Sequence, residues 1–357
     1  MADRMLDLML KLDAARGISG YEEDVAELMH DELRPYSDEQ SRDPIGNRYF
    51  TKRGAEDAPV LMLCAHMDEL GFLVQHIEDE GFLRLAPVGY HDDRMLTDQV
   101  LEVEGLNGPV TGVVGTKPAH VVTAEERQKA IPLHEMFLDL GTSSREESEA
   151  LGVRIGDPVT FARTGMALNG TRVFTGKAVD DRSGCAVMIE TMRRLAESDV
   201  AATVVAVASV QEEVGLRGAG VAAYRVKPDV AIALDVTLAG DTPATEFRQL
   251  PIRLGGGPAI KYFDWAPAVT IGSAVPRRLT RRMEQAAARA GVPFQREVLI
   301  GGATDAGSIA LAGAGTLTGC ISIPSRHIHS AVGVVHLDDM EQCVDLLIAF
   351  AELLPLE

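Results

Sequence analysis

An unbroken apolar run of seven residues, PVLMLCA at positions 59–65, constrains the fold of this chain more than any other feature. The run has the length of a β-strand and contains no polar position, so it requires a sheet that is covered on both faces. From Gly176 onward, predicted helices and strands alternate, beginning with a helix from about Arg182, a strand over Thr203 to Ser209 and a helix over Gly218 to Tyr224. This alternation is typical of an α/β fold with a mostly parallel sheet.

A middle segment, from about Leu70 to Arg163, has a different pattern, because its short β-type runs are separated by glycine and proline. The chain has 357 residues, whereas single cores stop growing near about 250 to 300 residues. We therefore expect two domains. The simplest arrangement is an α/β domain made of residues 1–67 and 165–357, interrupted by a small β-rich domain at residues 68–164.

The first two helices can be placed from their ends. Residues 3–16 show apolar positions with a helical period that ends at Gly17. Ser19 and Glu22 are spaced as a capping box, which predicts a second helix running to about Leu33.

The charge of the chain excludes several classes of partner. Acidic residues outnumber basic ones 53 to 34, for a net charge of -19, so nucleic acid and anionic membrane surfaces are poor partners. The amino-terminal segment carries charges at positions 3, 4, 7 and 11 and lacks the apolar stretch of a secretory signal. The four cysteines lie far apart with no C-x-x-C pair, as expected for reduced thiols. We expect a cytoplasmic protein.

Residue types that ligate metals follow the predicted strands, where open α/β sheets place their ligands. They fall at five points along the chain: His66 with Asp68, Asp180 with Asp181, Glu212 with Glu213, Asp235, and His327 with His329. Taken together, these residues supply two divalent metal sites that share a bridging acid. Such sites, with metals about 3.5 to 4 Å apart, activate water in hydrolases.

Most of these points also have an ordinary explanation when taken alone. A histidine two residues before an aspartate fits an exposed loop, and either later histidine fits a polar loop. Adjacent aspartates at a helix start fit an N-cap and the helix dipole. Glu212 and Glu213 are harder to explain, because two acids at the buried end of a central strand are costly without a cation or a proton.

Five strings, in this order and at these spacings, resemble the tetrahedral aminopeptidases, also called the glutamyl aminopeptidase family: AHMDELGF, GKAVDDRSG, QEEVGLRGA, ALDVT and RHIHS. The resemblance extends over nearly the whole chain and includes VVGTKPAH within the β-rich segment. It implies a phosphorylase/hydrolase-like catalytic domain with a mixed, mostly parallel sheet. It also implies that the insertion is a PDZ-like or β-barrel domain that mediates dimerisation.

The resemblance implies a role for each site residue. It assigns His66 and Asp235 to one metal, Glu213 and His329 to the other, Asp180 to the bridge between them, Glu212 to the general base and Asp68 to the orientation of His66. His329 is selected over His327 because the family string ends in Ile-His-Ser. The peptide bond between Asp180 and Asp181 is expected to be cis.

The implied activity is that of a two-metal aminopeptidase that removes amino-terminal residues from short peptides. Zinc or cobalt is the expected metal, with manganese as a third choice, and the expected assembly is a homo-oligomer in which dimers build a twelve-subunit tetrahedron. One alternative keeps the metals but hydrolyses N-acyl amides, as deacylases do. An endoglucanase would use paired carboxylates and leave both histidines idle, and a non-catalytic assembly protein would bind no metal.

Overall fold

The computed structural model describes residues 3–355 and shows an α/β body with a β-barrel inserted into it. The helices of the described chain are α1 (Arg4–Ala14), α2 (Glu23–Leu33), α3 (Arg145–Ala150), α4 (Val179–Ala196), α5 (Arg217–Val226), α6 (Arg277–Ala290), α7 (Ala306–Ala310) and α8 (Leu337–Glu352). All of them except α3 belong to the body, and α3 lies in the inserted segment.

The strands follow the same division. The body begins with β1 (Glu39–Arg42), β2 (Arg48–Lys52) and β3 (Val60–His66). The barrel is formed by β4 (Gly71–Ile77), β5 (Leu83–Val88), β6 (Val100–Gly105), β7 (Gly108–Gly115), β8 (Phe137–Asp139) and β9 (Pro158–Phe161). The body resumes with β10 (Met166–Ala167), β11 (Val173–Gly176), β12 (Thr203–Ser209), β13 (Val230–Leu238), β14 (Ala259–Ala266), β15 (Ile271–Ala274), β16 (Gln295–Ile300), β17 (Thr318–Arg326) and β18 (Gly333–His336).

The body contains one twelve-stranded sheet whose main path is β1-β2-β12-β3-β13-β17-β18-β11-β10, with β14, β15 and β16 attached beside β17. The central strands β12, β3, β13 and β17 run parallel, whereas the outer strands β2 and β18 pair antiparallel. This confirms the predicted α/β class with a mixed sheet. The carboxyl ends of all four central strands therefore meet at one edge of the sheet.

The strand predicted from the apolar run is β3, and it lies at the centre of the sheet. Its side chains alternate between two apolar layers. Leu61 and Leu63 pack in a large core with helices α1, α4 and α8. Met62 and Cys64 pack in a smaller core on the other face, with residues of α5 and α7. Coverage of both faces explains why this strand has no polar position before His66.

The inserted segment folds as a closed, six-stranded antiparallel barrel with the strand order β4-β5-β8-β7-β6-β9. The barrel has its own apolar core, which includes Phe72, Leu83 and Val103. The predicted β-rich insertion is thus confirmed as a barrel. The boundaries at residues 67/68 and 164/165 remain a prediction, although the barrel strands lie between them.

Two further features bear on the sequence analysis. None of the helices between residues 3 and 355 has the length and apolar character needed to cross a bilayer. The four cysteines, Cys64, Cys185, Cys320 and Cys343, are buried and free.

We expect Leu63→Ala to lower the free energy of unfolding by about 2 to 5 kcal/mol, because it removes buried methyl groups from a fully buried position and leaves a cavity. The matched control is Leu106→Ala, since Leu106 is 62% exposed and its truncation should change the value by less than about 0.5 kcal/mol. Denaturant unfolding measures both. Equal effects of the two substitutions would contradict the central position of β3.

Candidate metal centre

The candidate ligands lie at the carboxyl edge of the parallel strands. His66 is the last residue of β3, and Asp235 lies in the neighbouring strand β13. Two residues before them, Cys64 of β3 pairs with Ala233 of β13, so His66 and Asp235 lie at the same level of the sheet. Glu212 and Glu213 follow the end of β12, and His329 follows β17. Strand topology therefore brings together side chains that are far apart in the sequence.

Asp180 reaches the same place from the start of α4. It and Asp181 have non-helical backbone angles within the first turn, and the peptide bond between them is cis, as the family resemblance implies. The two oxygens of Asp180 face different imidazoles. Oδ1 lies 3.1 Å from Nε2 of His66, and Oδ2 lies 3.5 Å from Nε2 of His329.

Three groups of possible ligand atoms each lie within 4.8 Å of one another: His66 with Asp180 and Asp235, Asp180 with Glu213 and His329, and His66 with Glu212 and Glu213. The first two groups share Asp180. They contain the same residues that the resemblance assigns to two metals and a bridge. The structure brings all five of those residues into one cluster.

The electrostatics of this cluster call for positive charge. Burial is the main influence on the pKa values of Glu212 and Asp235, which lie well above the ordinary range, and neighbouring carboxylates raise them further. Burial, followed by the nearby charge of Asp180, raises the pKa of Glu213 to about 7. Oε1 of Glu213 is buried and has no hydrogen-bond partner. The donor set of imidazole nitrogens and carboxylate oxygens fits a pair of divalent metals, which would satisfy that atom.

Asp180 behaves differently from the other acids. Burial alone would raise its pKa, but hydrogen bonds with His329 and His66 lower the pKa of Asp180 below its ordinary value. It therefore carries a negative charge between the two imidazoles. A carboxylate with one oxygen toward each ligand group is suited to bridge two cations.

Asp68 contacts more of the site than its predicted role requires. Nδ1 of His66 lies 3.0 Å from the carbonyl oxygen of Asp68 and 3.5 Å from its carboxylate. When Nδ1 donates to that carbonyl, the Nε2 lone pair of His66 is free for a metal. The Asp68 carboxylate accepts hydrogen bonds from the backbone N–H groups of Glu212 and Glu213. Asp68 thus contacts both the imidazole and the segment that carries the two glutamates.

The capping box predicted at Ser19 and Glu22 is wrong. Helix α2 begins at Glu23, and its N-cap makes no side-chain capping hydrogen bond. Ser19 Oγ instead donates to Asp68 Oδ2 at 2.6 Å, and the Glu22 carboxylate accepts from the backbone of Gly20 and Gln211. The S-x-x-E spacing predicts hydrogen bonds within one helix terminus. Here both side chains instead contact residues that are distant in the sequence, Asp68 and Gln211, which the spacing does not reveal.

A buried ion pair joins the segment between β3 and the barrel to the turn between β11 and α4 of the body. Nζ of Lys177 lies 2.5 Å from the Glu69 carboxylate, and both side chains are almost completely buried. The fully buried Arg182 donates to the carbonyl of Met67 at 2.8 Å. Sequence analysis did not single out these residues, although they lie inside the strings AHMDELGF and GKAVDDRSG.

His329 is oriented by the inserted segment. Its Nδ1 lies 3.0 Å from the carbonyl oxygen of Tyr90, which follows β5 of the barrel. A cleft next to the cluster is lined by Asp180 and His329 from the body and by Phe161 from the barrel. His327 is exposed, whereas His329 belongs to a candidate ligand group with Asp180 and Glu213.

Comparison with known proteins agrees with this geometry. The model of the M42 glutamyl aminopeptidase family matches residues 46–346. The chain belongs to this family. It is similar to aminopeptidase APDkam598 from the archaeon Desulfurococcus kamchatkensis, with 39% identity, coverage of 98% of this chain and 94% of that one, and a TM-score of 0.92. As a member of the M42 family, the protein described by this structure is a metallo-aminopeptidase.

Two further relatives of the M42 enzyme are informative. A lysyl aminopeptidase of Pyrococcus furiosus is 35% identical over 97% of this chain and 96% of its own. The TET1 peptidase of Pyrococcus horikoshii is 32% identical over 98% of this chain and 100% of its own, with a TM-score of 0.86. The TET1 peptidase can assemble into a tetrahedron or a large octahedral shell.

We expect stabilisation of the M42 enzyme by a divalent cation to increase with pH. The pKa of Glu213 is raised to about 7, so the metal-free folded state holds a proton that the unfolded chain releases near 4.5. Although burial opposes it, hydrogen bonding to Asp180 raises the pKa of His329 to about 9 from 6.5. The metal-free protein therefore loses stability as pH rises from 4.5 to about 7, because of Glu213, and from 6.5 to about 9, because of His329. Both groups must lose their protons to bind a cation.

The measurement compares the Tm of chelated and zinc-loaded protein between pH 5.5 and 8. A cation at 100 times its Kd adds about 2.7 kcal/mol per site, so the gap should be clear at pH 8 and small at pH 5.5. His329→Gln should reduce the gap, and the matched His327→Gln should leave it unchanged. A gap that is independent of pH would contradict the assignment.

Proposed function

We propose that this M42 aminopeptidase holds two divalent cations and removes amino-terminal residues from short peptides, with Glu212 as the general base. The observation that carries the proposal is the shared carboxylate, because the Oδ atoms of Asp180 lie 3.1 and 3.5 Å from two different imidazoles. His66 and Asp235 would hold one cation, and Glu213 and His329 the other. Zinc or cobalt suits this nitrogen and oxygen set, and manganese is a third choice.

A bound pair of divalent cations supplies Lewis-acid polarisation of the scissile carbonyl and lowers the pKa of a water molecule toward about 7. The protein must then accept and deliver one proton. The carboxylate of Glu212 accepts the proton of the attacking water as the water oxygen bonds to the carbonyl carbon. It donates that proton to the amine nitrogen as the C–N bond breaks.

The position of Glu212 supports this role. Its Oε2 lies 3.9 Å from Nε2 of His66, next to the ligands, and the residue is only 8% exposed. Burial raises the pKa of Glu212 well above its ordinary value, which favours a carboxylate able to keep a proton until the amine leaves. Bound cations lower this pKa, so the two influences bring it toward the pH at which the enzyme works.

The restriction to amino termini would come from the metal site and the acids beside it. Together they would hold the free amino group of a peptide, whereas an acylated nitrogen has no free lone pair for a cation and no charge to pair with a carboxylate. We therefore propose peptides with a free amino terminus as substrates. An aminoacyl chromogenic substrate should be cleaved, and its N-acetylated counterpart should not. The reverse preference would favour a deacylase.

We expect Glu212→Gln to lower turnover by about 10²- to 10⁴-fold, because the amide cannot accept the proton of water. Metal content, measured by elemental analysis, should stay at the wild-type level. Asp180→Asn serves as the comparison, since it should lose metal as well as activity. Near-normal turnover of Glu212→Gln would exclude its role as the base.

We also propose that the M42 enzyme assembles through its inserted domain, residues 68–164, into dimers and then into a twelve-subunit tetrahedron. Two observations support this. The TET1 peptidase, which covers the same length, assembles into closed shells. The barrel region also exposes large apolar side chains, among them Leu106 at 62%, Val121 at 61% and Ile155 at 61%, and a subunit contact through the barrel would remove such side chains from water.

Light scattering of the purified protein should give a mass near twelve times 38.3 kDa. The expectation follows from closed symmetry, because an assembly with every interface filled has a defined mass. A mass of one subunit at working concentration would contradict the proposal.

A further inference from the structure

The segment between β12 and α5 is held in place by side chains from other parts of the chain. Four consecutive backbone N–H groups donate to side-chain oxygens, each at 3.0 or 3.1 Å: Val210 to Asn47, Gln211 to Glu22, and Glu212 and Glu213 to the two oxygens of Asp68. Of these donors, Glu212 is the proposed base and Glu213 is a proposed metal ligand. Their backbone position is therefore set by contacts from outside the segment.

These contacts are needed because the segment has left the regular sheet. Gln211 has a φ of 57°, in the left-handed region that residues other than glycine seldom adopt. Its N–H lies beyond the end of β12, where the ladder no longer supplies an acceptor, and this part-buried group needs another one. The Glu22 carboxyl group supplies that acceptor, 3.1 Å from the Gln211 nitrogen.

Glu22 is well placed to restrain this segment. It lies 189 residues away in the sequence, is only 6% exposed, and also accepts from the backbone N–H of Gly20 at 2.8 Å. The same loop provides Ser19, whose hydroxyl donates to Asp68. One loop between α1 and α2 thus contacts the glutamate segment directly through Glu22 and indirectly through Asp68.

We propose that Glu22 is a positioning residue for peptide cleavage. It fixes the backbone at Gln211 so that the carboxylate of Glu212 stays within reach of the proton that it accepts from the attacking water. This inference rests on the proposed role of Glu212 as the base. A displacement of about 1 Å in a catalytic group can cost about 10²-fold in rate. The loss of one acceptor outside the site should therefore lower turnover without removing any catalytic group.

The test compares two replacements of nearly equal size. Glu22→Leu removes the acceptor, whereas Glu22→Gln keeps an oxygen that can accept from Gln211. We expect Glu22→Leu to lower kcat by about 10- to 100-fold with KM within about threefold, and Glu22→Gln to restore kcat to within about threefold of wild type. The control is Glu23→Leu, which removes the same charge from an exposed neighbour and should leave kcat unchanged.

A second readout does not depend on activity. Hydrogen exchange of metal-free protein, followed on a peptide that contains residues 210–213, should be faster in Glu22→Leu than in wild type and unchanged in Glu22→Gln. If Glu22→Leu does not fold, Glu22→Ala replaces it in both measurements. A kcat of the acceptor-free variant within threefold of wild type would overturn the proposal, as would equal losses in the Gln and Leu variants.

Failure of this inference can be told apart from failure of the proposed function. If the wild type cleaves peptides and Glu212→Gln does not, but Glu22→Leu is fully active, only the positioning role of Glu22 is rejected. If Glu212→Gln is itself active, the role of the base is rejected, and the exchange measurement still reports whether Glu22 holds the segment.

Discussion

The structure depends on one electrostatic constraint, which is that several carboxylates share a small and largely buried volume. Each of these groups would be costly to ionise alone. The two imidazoles around Asp180 compensate part of this charge, but the unsatisfied oxygen of Glu213 shows that compensation by the protein is incomplete. The cluster makes sense as a site whose remaining positive charge is supplied by cations, so folding stability and metal binding depend on each other.

The sheet provides the geometry that this cluster needs. Parallel central strands place their carboxyl ends at one edge, and the turn at the start of α4 inserts Asp180 between them. The supporting contacts come from connections: the Ser19 to Glu22 loop holds the glutamate segment, and the Lys177–Glu69 pair joins the segment between β3 and the barrel to the turn before α4. The strands therefore fix where the candidate ligands meet, and connecting segments restrain those that follow the strand ends.

Much of this arrangement could be predicted from the sequence, for identifiable reasons. The strand β3 was evident because burial on both faces leaves an apolar run. The cluster of candidate ligands could be anticipated because His66 and Asp235 follow apolar runs and lie in family strings, although β13 continues past Asp235 to Leu238. The contacts of Glu22 and Tyr90 could not be predicted. They join residues 189 and 239 positions apart, and Tyr90 contributes only a backbone carbonyl, which leaves no trace in the residue type.

The contact from Tyr90 has a consequence for how this enzyme can be re-engineered. The carbonyl that selects the protonated nitrogen of His329 belongs to the barrel, so the barrel is not a detachable module. Grafting a different barrel onto the body, to alter the quaternary arrangement, would also change the acceptor that orients an imidazole of the candidate metal centre. Any chimera must therefore preserve the path of the backbone around Tyr90, even where the side chains of the transplanted barrel are free to vary.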